Sequence, residues 1–423
     1  MTRTVAVIGG GWAGIAAAVE ATAAGHRVAL FEMAAQLGGR ARSLADGRDS
    51  GQHILIGAYR DTLALMRRVG ADPDALLLRT PLALRGPRDA GLRLPPGAPL
   101  VAFARGVLAH PRWPLGARVA LLAQATRWLL GGFQCAPRLS VAELCAPLPA
   151  VVLAELVEPL CVAALNTPMA EASAPVFLRV LHDALFAGRG GADLLLPRVP
   201  LAALVAQPAE AWLRARGAAL HLGRRIQSLD ELDAVDAFDA RDARRGFDRI
   251  VIATTSGEAA RLVAPLGAAW TRWAARARAL RFEPIATAYV EYSGRGLPEP
   301  MLMLGDGPAQ FVFDLGRLGL GAGLYAFSIS AAAPWVERGL DATGAAVIEQ
   351  ARAELGWDGA RVARVLAEKR ATFACTPGLA RPPASADPHI RVAGDYVAGP
   401  YPATLEGAVR SGRAAVADLL PPR

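Results

Sequence analysis

The stretch Thr4-Val5-Ala6-Val7-Ile8-Gly9-Gly10-Gly11-Trp12-Ala13-Gly14-Ile15-Ala16-Ala17-Ala18, with Arg27-Val28-Ala29-Leu30-Phe31-Glu32 following it, decides the architecture. Residues 4–8 form a short apolar β-run, 9–14 a glycine turn, 15–24 an alanine-rich helix and 27–31 a second strand. Gly9, Gly11 and Gly14 fit the spacing G-x-G-x-x-G between a strand and a helix. The first glycine allows a tight turn, the second lets backbone approach a pyrophosphate, and the third lets the helix pack closely. The positive end of the helix dipole then faces the phosphates. Glu32 ends the second strand about 20 residues on, where a carboxylate accepts hydrogen bonds from ribose hydroxyls and repels a 2′-phosphate. These residues predict an α/β fold opened by a Rossmann-type dinucleotide-binding unit.

The segment after Glu32 separates FAD from NAD. Leu37-Gly38-Gly39-Arg40-Ala41-Arg42-Ser43 supplies two glycines and an arginine able to wrap the far side of a pyrophosphate, with Gly39 and Arg40 as the candidate contacts. Its other reading is a glycine-rich loop carrying a solvated Arg40. Near the C-terminus, Gly394-Asp395 ends a strand, and Pro402-Ala403-Thr404-Leu405-Glu406-Gly407-Ala408 opens a helix. Asp395 can bond the ribityl or pyrophosphate region, and the helix starting at Thr404 and Leu405 can aim its N-terminus at the isoalloxazine O2. Two distant segments thus converge on one ligand, FAD. Ile226 joins the cofactor-binding set. No cysteine follows Asp395 to attach the flavin, so the FAD is expected to be noncovalent.

Beyond these motifs the chain is globular in composition, with 423 residues of which 53% are hydrophobic. The net charge is +8, carried almost wholly by arginine, since Lys369 is the only lysine. That charge suits an anionic surface or reflects genomic bias. No basic run alternates with aromatics, so nucleic acid is set aside. Cys135, Cys145, Cys161 and Cys375 show neither C-x-x-C spacing nor a histidine at zinc-ligand spacing, so no metal site is expected. The N-terminus lacks room for a secretory apolar region, and no apolar run of about 18 residues escapes Pro, Gly or Arg. A cytoplasmic protein is expected, with peripheral contact on the inner membrane face.

Helical spacing recurs over 60–70 and over 100–187, with a Pro- and Gly-rich segment of hairpins or loops at 80–99 between them. Strands are expected at 248–255, 285–292 and 391–395, and a helix at 405–420. The lobes therefore interleave. The nucleotide domain takes residues 1–75, 201–270 and 376–423; a helical cap and substrate domain takes 76–200, and 271–375 forms the sheet part of the substrate domain, expected to be mixed.

At this point the chain resembles the amine oxidase and phytoene desaturase superfamily of flavoproteins over its full length. Its narrower likeness is to the squalene-associated FAD-dependent desaturases, the hydroxysqualene dehydroxylases. That likeness is carried by Ser50-Gly51-Gln52-His53, Leu165-Asn166-Thr167-Pro168, Ala172-Ser173-Ala174, Leu181-His182-Asp183-Ala184-Leu185-Phe186, Asp193-Leu194-Leu195-Leu196-Pro197-Arg198, Glu368-Lys369-Arg370-Ala371-Thr372-Phe373 and the Pro402–Ala408 segment. Ser50 departs from the family, which tends to carry Asn there.

The resemblance implies reduction of the allylic C–OH of hydroxysqualene to C–H, giving squalene, with reduced FAD as hydride source and an electron donor the sequence does not name. Hydroxide leaves poorly, so Asp183, as a carboxyl kept protonated in an apolar pocket, or His182 is a candidate to assist it. The alternative is that Asp183 caps or salt-bridges within its helix. His53 either lines the substrate face or packs within the nucleotide domain. Asn166 either orients the hydroxyl or ends a helix. A thirty-carbon substrate also requires a long apolar tunnel and collection from a membrane, for which the region from Arg105 to Trp128 is the candidate surface, with Trp113 and Trp128 at the interface; its other reading is an ordinary packed helix. Two other readings stay open: an FAD-dependent carotenoid or squalene-type desaturase, and a prenyl-lipid carrier without catalysis.

Overall fold

Thr4–Ile8 occupies the centre of a five-stranded sheet, between Arg249–Ile252 and Arg27–Glu32, with Ile390–Val392 and Ala219–Leu222 at the edges. The computed structural model showing this arrangement describes residues 2–87, 91–186, 188–234 and 246–419. Every pairing in the sheet is parallel, with Val5 in register against both Val28 and Arg249. A parallel sheet is covered on both faces, so its strands must be apolar throughout rather than alternating. Val5, Ala6 and Val7 accordingly have no exposed surface.

The helix Trp12–Ala23 is buried along almost its whole length, which its run of alanines permits because small side chains allow close approach. The C-terminal helix Leu405–Ala415 lies against it. A Cβ at Gly412 would run into the Ala13 carbonyl, and Arg413 pairs with the buried Glu20 at 3.1 Å. The first and last helices of the chain are thereby locked together, which is what brings the two ends of the sequence to one site.

A second sheet runs in the order Met301–Met303, Phe311–Asp314, Leu324–Ile329, Phe282–Glu291, Arg361–Phe373. The sequence reading expects a mixed sheet here, but all four pairings are antiparallel. Short connections between the strands at 301, 311 and 324 reverse the chain and give two of these pairings, and the helical connection from 329 to 361 returns the chain so that both 324–329 and 361–373 run antiparallel to 282–291 between them. One face of this sheet packs on the helix Leu340–Gln350, around Val347 and Trp357.

Between the sheets lies a cap of helices: Pro99–Leu108, Leu115–Leu130, Val141–Cys145, Glu158–Leu165 and Ala174–Phe186. Ser140 and Glu143 close a reciprocal capping box at the start of Val141–Cys145. The Pro- and Gly-rich stretch before the cap folds as a hairpin, Ala83–Leu84 against Leu92–Arg93. Trp113 and Trp128 correct the sequence reading, which put them at a membrane interface. Both are buried, at 1% and 9% exposure, and Trp113 donates its indole N–H to Glu155 at 2.8 Å. Their apolar area is used inside the cap, where aromatic burial contributes most. No helix among the described residues is long and apolar enough to cross a membrane.

Candidate cofactor and substrate site

The carboxyl ends of all five parallel strands open onto one cavity of about 1260 Å³, lined among others by Ile8, Glu32, Arg224, Ala253 and Gly394. This is where open α/β sheets bind ligands. Gly9 follows the first strand with φ +108°, and a side chain there would meet the Ala253 carbonyl. A Cβ on Gly14 would strike the carbonyl oxygen of Gly9, so the helix can approach the strand only if residue 14 is glycine. Gly11 begins the helix Trp12–Ala23 without any side-chain cap. The first N–H groups of the helix are therefore left for a ligand.

Glu32 is buried, and each of its carboxylate oxygens takes one backbone N–H: Oε2 from Gly10 at 2.6 Å and Oε1 from Ala34 at 2.7 Å. Both oxygens retain a further lone pair toward the cavity they line. The Leu37–Ser43 segment closes over the glycine turn. Gly38 N–H bonds the Gly10 carbonyl at 2.8 Å, and Gly39, at φ +61°, faces Gly11 so closely that a Cβ would lie 3.0 Å from its Cα.

Arg40 is partly exposed but does not stand free in solvent. Its guanidinium pairs with Asp395 at 2.6 Å and donates to the Ala371 carbonyl at 2.5 Å, tying the glycine loop to the last strand and to the antiparallel sheet. Burial pulls the Arg40 pKa down, but the Asp395 carboxylate outweighs it and holds the guanidinium above its usual value. Gly394 bonds Ser411 of the C-terminal helix, and Thr404 caps that helix by accepting from Gly407 at 3.0 Å. Leu405 and Ile226 line the same cavity; the Ile226 carbonyl is held by Arg261. Glu406 has a different task. Fully buried, it accepts the N–H groups of Asp61 and Thr62, fixing the start of the helix Arg60–Arg68.

From this polar cleft the cavity continues into the cap, where Leu92, Phe103, Leu121, Phe177, Leu181 and Phe313 form an apolar chamber. A volume above the ~300–1,000 Å³ usual for one small ligand leaves space for a second molecule beside a cofactor. Set into the chamber wall is a polar cluster. Tyr401 donates to Asp183 at 2.7 Å, Arg179 pairs with Asp183 at 3.0 Å and donates to the Tyr401 hydroxyl at 3.2 Å, and His182 Nδ1 lies 3.1 Å from Asp183. Burial pushes the Asp183 carboxyl up, but the hydrogen bonds from His182, Tyr401 and Arg179 prevail and hold it below the usual carboxylate range. Asp183 is therefore an ionised acceptor, not the protonated carboxyl the sequence reading offered. Burial, reinforced by Asp183, raises the Tyr401 pKa and keeps the phenol protonated.

His53 lines the same cavity, and its Nδ1 lies 2.9 Å from the Gly51 carbonyl. A carbonyl only accepts, so Nδ1 carries the hydrogen and Nε2 is left as an acceptor. Burial lowers the His53 pKa and keeps the ring neutral.

Asn166 lines the same cavity and also ends its helix, the second of its two sequence readings; its amide is largely committed, both Nδ2 hydrogens being used and Oδ1 keeping one lone pair. Nδ2 donates to the Glu283 and Pro284 carbonyls at 3.3 Å and to Thr372 at 2.9 Å, while Oδ1 accepts from Ala331 N–H at 2.6 Å. Its backbone, at φ +48°, ends the helix Glu158–Leu165 in the left-handed region that Asn tolerates. Asn166 pins the cap to the antiparallel sheet.

Tyr401 and Arg179 were missed from the sequence. The signals present were an aromatic residue inside the turn before the C-terminal helix, and an arginine one helical turn before Asp183 on the same face. The four cysteines are free, and burial pushes the Cys145 thiol up to about 12.

The residues converging here define a flavin-binding oxidoreductase. The chain matches the flavin containing amine oxidoreductases over residues 12–334 and 370–420, and it belongs to that family. It is an FAD enzyme. Among curated relatives, it is 28% identical to the hydroxysqualene dehydroxylase of Rhodopseudomonas palustris over 468 aligned positions, covering 99% of each chain. A zeta-carotene desaturase of Synechocystis is 42% identical over 77 residues, 17% of this chain and 16% of the desaturase. Among solved structures, an oxidoreductase of Methanosarcina mazei shares the fold with a TM-score of 0.72 at 15% identity, covering 98% of this chain and all of that one.

Proposed function

We propose that this enzyme removes the hydroxyl of hydroxysqualene to give squalene, a step of squalene and hopanoid synthesis. The observation that carries the reading is the apolar chamber joined to the cofactor cleft, with the Asp183–Tyr401 pair in its wall. The full-length likeness to a hydroxysqualene dehydroxylase supports the substrate, whereas the likeness to the desaturase is confined to less than a fifth of the chain.

In this reading Gly9, Gly11, Gly14 and Gly39 make room for the pyrophosphate of a noncovalent FAD, Glu32 takes its ribose, and Ile226, Arg40, Gly394, Asp395, Thr404 and Leu405 line the remainder of the ligand. Bound FAD, reduced by a separate electron donor, supplies the hydride that replaces the hydroxyl on carbon. The chain's own residues handle the oxygen. When the substrate hydroxyl approaches, the single Tyr401 O–H turns from Asp183 to the departing oxygen and gives it the proton with which it leaves as water; Arg179, which donates to the Tyr401 oxygen, balances the phenolate left behind until it is reprotonated from solvent. Asp183, ionised, holds Tyr401 and Arg179 in place, and its negative charge favours the allylic cation that forms as the C–O bond breaks. His53, neutral with an acceptor Nε2, receives a hydrogen bond from the substrate hydroxyl in the ground state. The apolar chamber excludes bulk water, which would otherwise return to the cation.

The test is the direction of electron flow in the purified protein. Hydroxysqualene consumed only when a reductant is supplied supports the dehydroxylase. Desaturation of a polyene only with an electron acceptor would overturn it in favour of a desaturase, and a protein purified without flavin would point to a carrier.

A further inference from the structure

The two helices that open the cap, Pro99–Leu108 and Leu115–Leu130, pack against each other and have two apolar sides. Their inner sides line the chamber through Phe103, Leu121 and Trp128. Their outer sides expose Leu100, Val101, Leu108, Leu115, Val119 and Leu130, the last at 83%. Val101 and Leu108 fall on one stripe of the first helix with Arg105 between them. Leu115, Val119 and Leu130 fall on one stripe of the second, at the i, i+4 spacing of a single face. Single exposed leucines need no explanation, but of twelve exposed large hydrophobics among the described residues seven lie on these two helices, Leu129 being the seventh.

The segment carrying this face is basic. Residues 92–142 hold six arginines and neither Asp nor Glu. Arg105 and Arg127 are exposed on the two helices, while Arg112, between them, pairs with Glu155 at 3.4 Å. An apolar stripe bordered chiefly by arginine is the pattern of a segment lying in the headgroup region of an anionic bilayer. The face is also continuous with a way in. A smaller cavity beside the start of the first helix, lined by Pro96, Gly97, Pro99 and Ala102, shares Leu82, Leu94 and Ala192 with the main chamber.

We propose that the outer face of Pro99–Leu108 and Leu115–Leu130 seats the enzyme on an anionic lipid surface, with the opening between the 95–99 turn and the 189–193 segment as the portal for a lipid substrate. The proposal deepens the reading of a long apolar substrate and rests on it. Apolar side chains enter the acyl boundary, arginines meet the phosphates, and the portal next to Leu100 is brought to the depth at which an isoprenoid resides.

The experiment is cosedimentation of the flavin-loaded protein with phosphatidylcholine vesicles, with and without phosphatidylglycerol, in low and high salt. A second sample carries Leu100→Glu, Leu115→Glu and Leu130→Glu, three residues outside the cavity wall. The wild type is expected to pellet with the phosphatidylglycerol vesicles and to be released by salt. The variant, keeping its flavin, is expected to bind about a hundredfold more weakly. Wild type that stays in solution with both vesicle types, or a variant that pellets equally, overturns the proposal. So does a wild-type dimer that these substitutions convert to monomer without any vesicle binding, since a second copy would then cover the face. Turnover of detergent-dispersed hydroxysqualene, run alongside, reads the substrate assignment separately: its failure with vesicle binding intact strikes the substrate and not the face.

Discussion

Replacing Asn166 with Ala removes a buried amide whose loss takes their Asn166 partner from the Ala331 N–H, the Thr372 hydroxyl and the Glu283 carbonyl, while the Pro284 carbonyl keeps the Ala332 N–H. Each buried polar group left without a partner costs about 1–3 kcal/mol, and neighbouring losses add incompletely. The left-handed backbone at φ +48° disfavours Ala over Asn by roughly another 1 kcal/mol. The expected destabilisation is about 4 kcal/mol. For 423 residues, with an unfolding entropy of about 2.1 cal/mol/K per residue, that lowers Tm by roughly 4–5 °C. Asn166→Gly relieves the backbone but not the amide, so it is expected to recover about a quarter of the loss. The assay is thermal unfolding of the flavin-loaded protein, with steady-state turnover measured well below the transition. The reasoning predicts a lower Tm for both variants and kcat within about threefold of wild type. Unchanged Tm with kcat reduced a hundredfold would refute it and return Asn166 to the substrate.

Gly14→Val places a side chain against the Gly9 carbonyl, so the purified variant is expected to lose most of its bound flavin, read from its visible absorbance. Tyr401→Phe removes the donor to the leaving oxygen while the cavity keeps its shape, and is expected to lower kcat by about 10²-fold with flavin content and KM little changed; an unchanged kcat would remove Tyr401 from the mechanism. Asp183 has its folded-state pKa held below the unfolded value. Its contribution to stability is therefore complete above the ordinary carboxylate range and is lost as pH falls through the lowered value. Activity should accordingly be level from neutral into mildly acidic pH, and an acidic limb near neutrality that vanishes in Asp183→Asn would contradict an ionised Asp183.

The cofactor half of the site was legible because its chemistry is written in backbone. A turn that only Gly9 and Gly14 allow, and a carboxylate at the end of a strand, leave short marks at fixed spacing. Four of the five parallel strands were legible as apolar runs, whereas Ala219–Leu222, short and interrupted by His221, was not read. The substrate half was harder to read because its polar residues act through partners far away in sequence. Asp183 alone reads as a proton donor or as a cap or salt bridge within its helix; the Arg179 pair in that helix and Tyr401, 218 positions on, favour the second. Asn166 read either as a hydroxyl ligand or as a helix end, because its four partners, all more than a hundred residues away and three of them on strands, were not visible. Trp113 and Trp128 mislead for a related reason: their type suits an interface and a core equally, and only the packing of the two cap helices shows which side they face.

The central claim is tested most directly by mixing the flavin-reduced protein with hydroxysqualene in detergent without oxygen, following the flavin spectrum and extracting the lipid. The account predicts that one squalene forms for each flavin reoxidised. A flavin that stays reduced, with hydroxysqualene recovered unchanged, would contradict it.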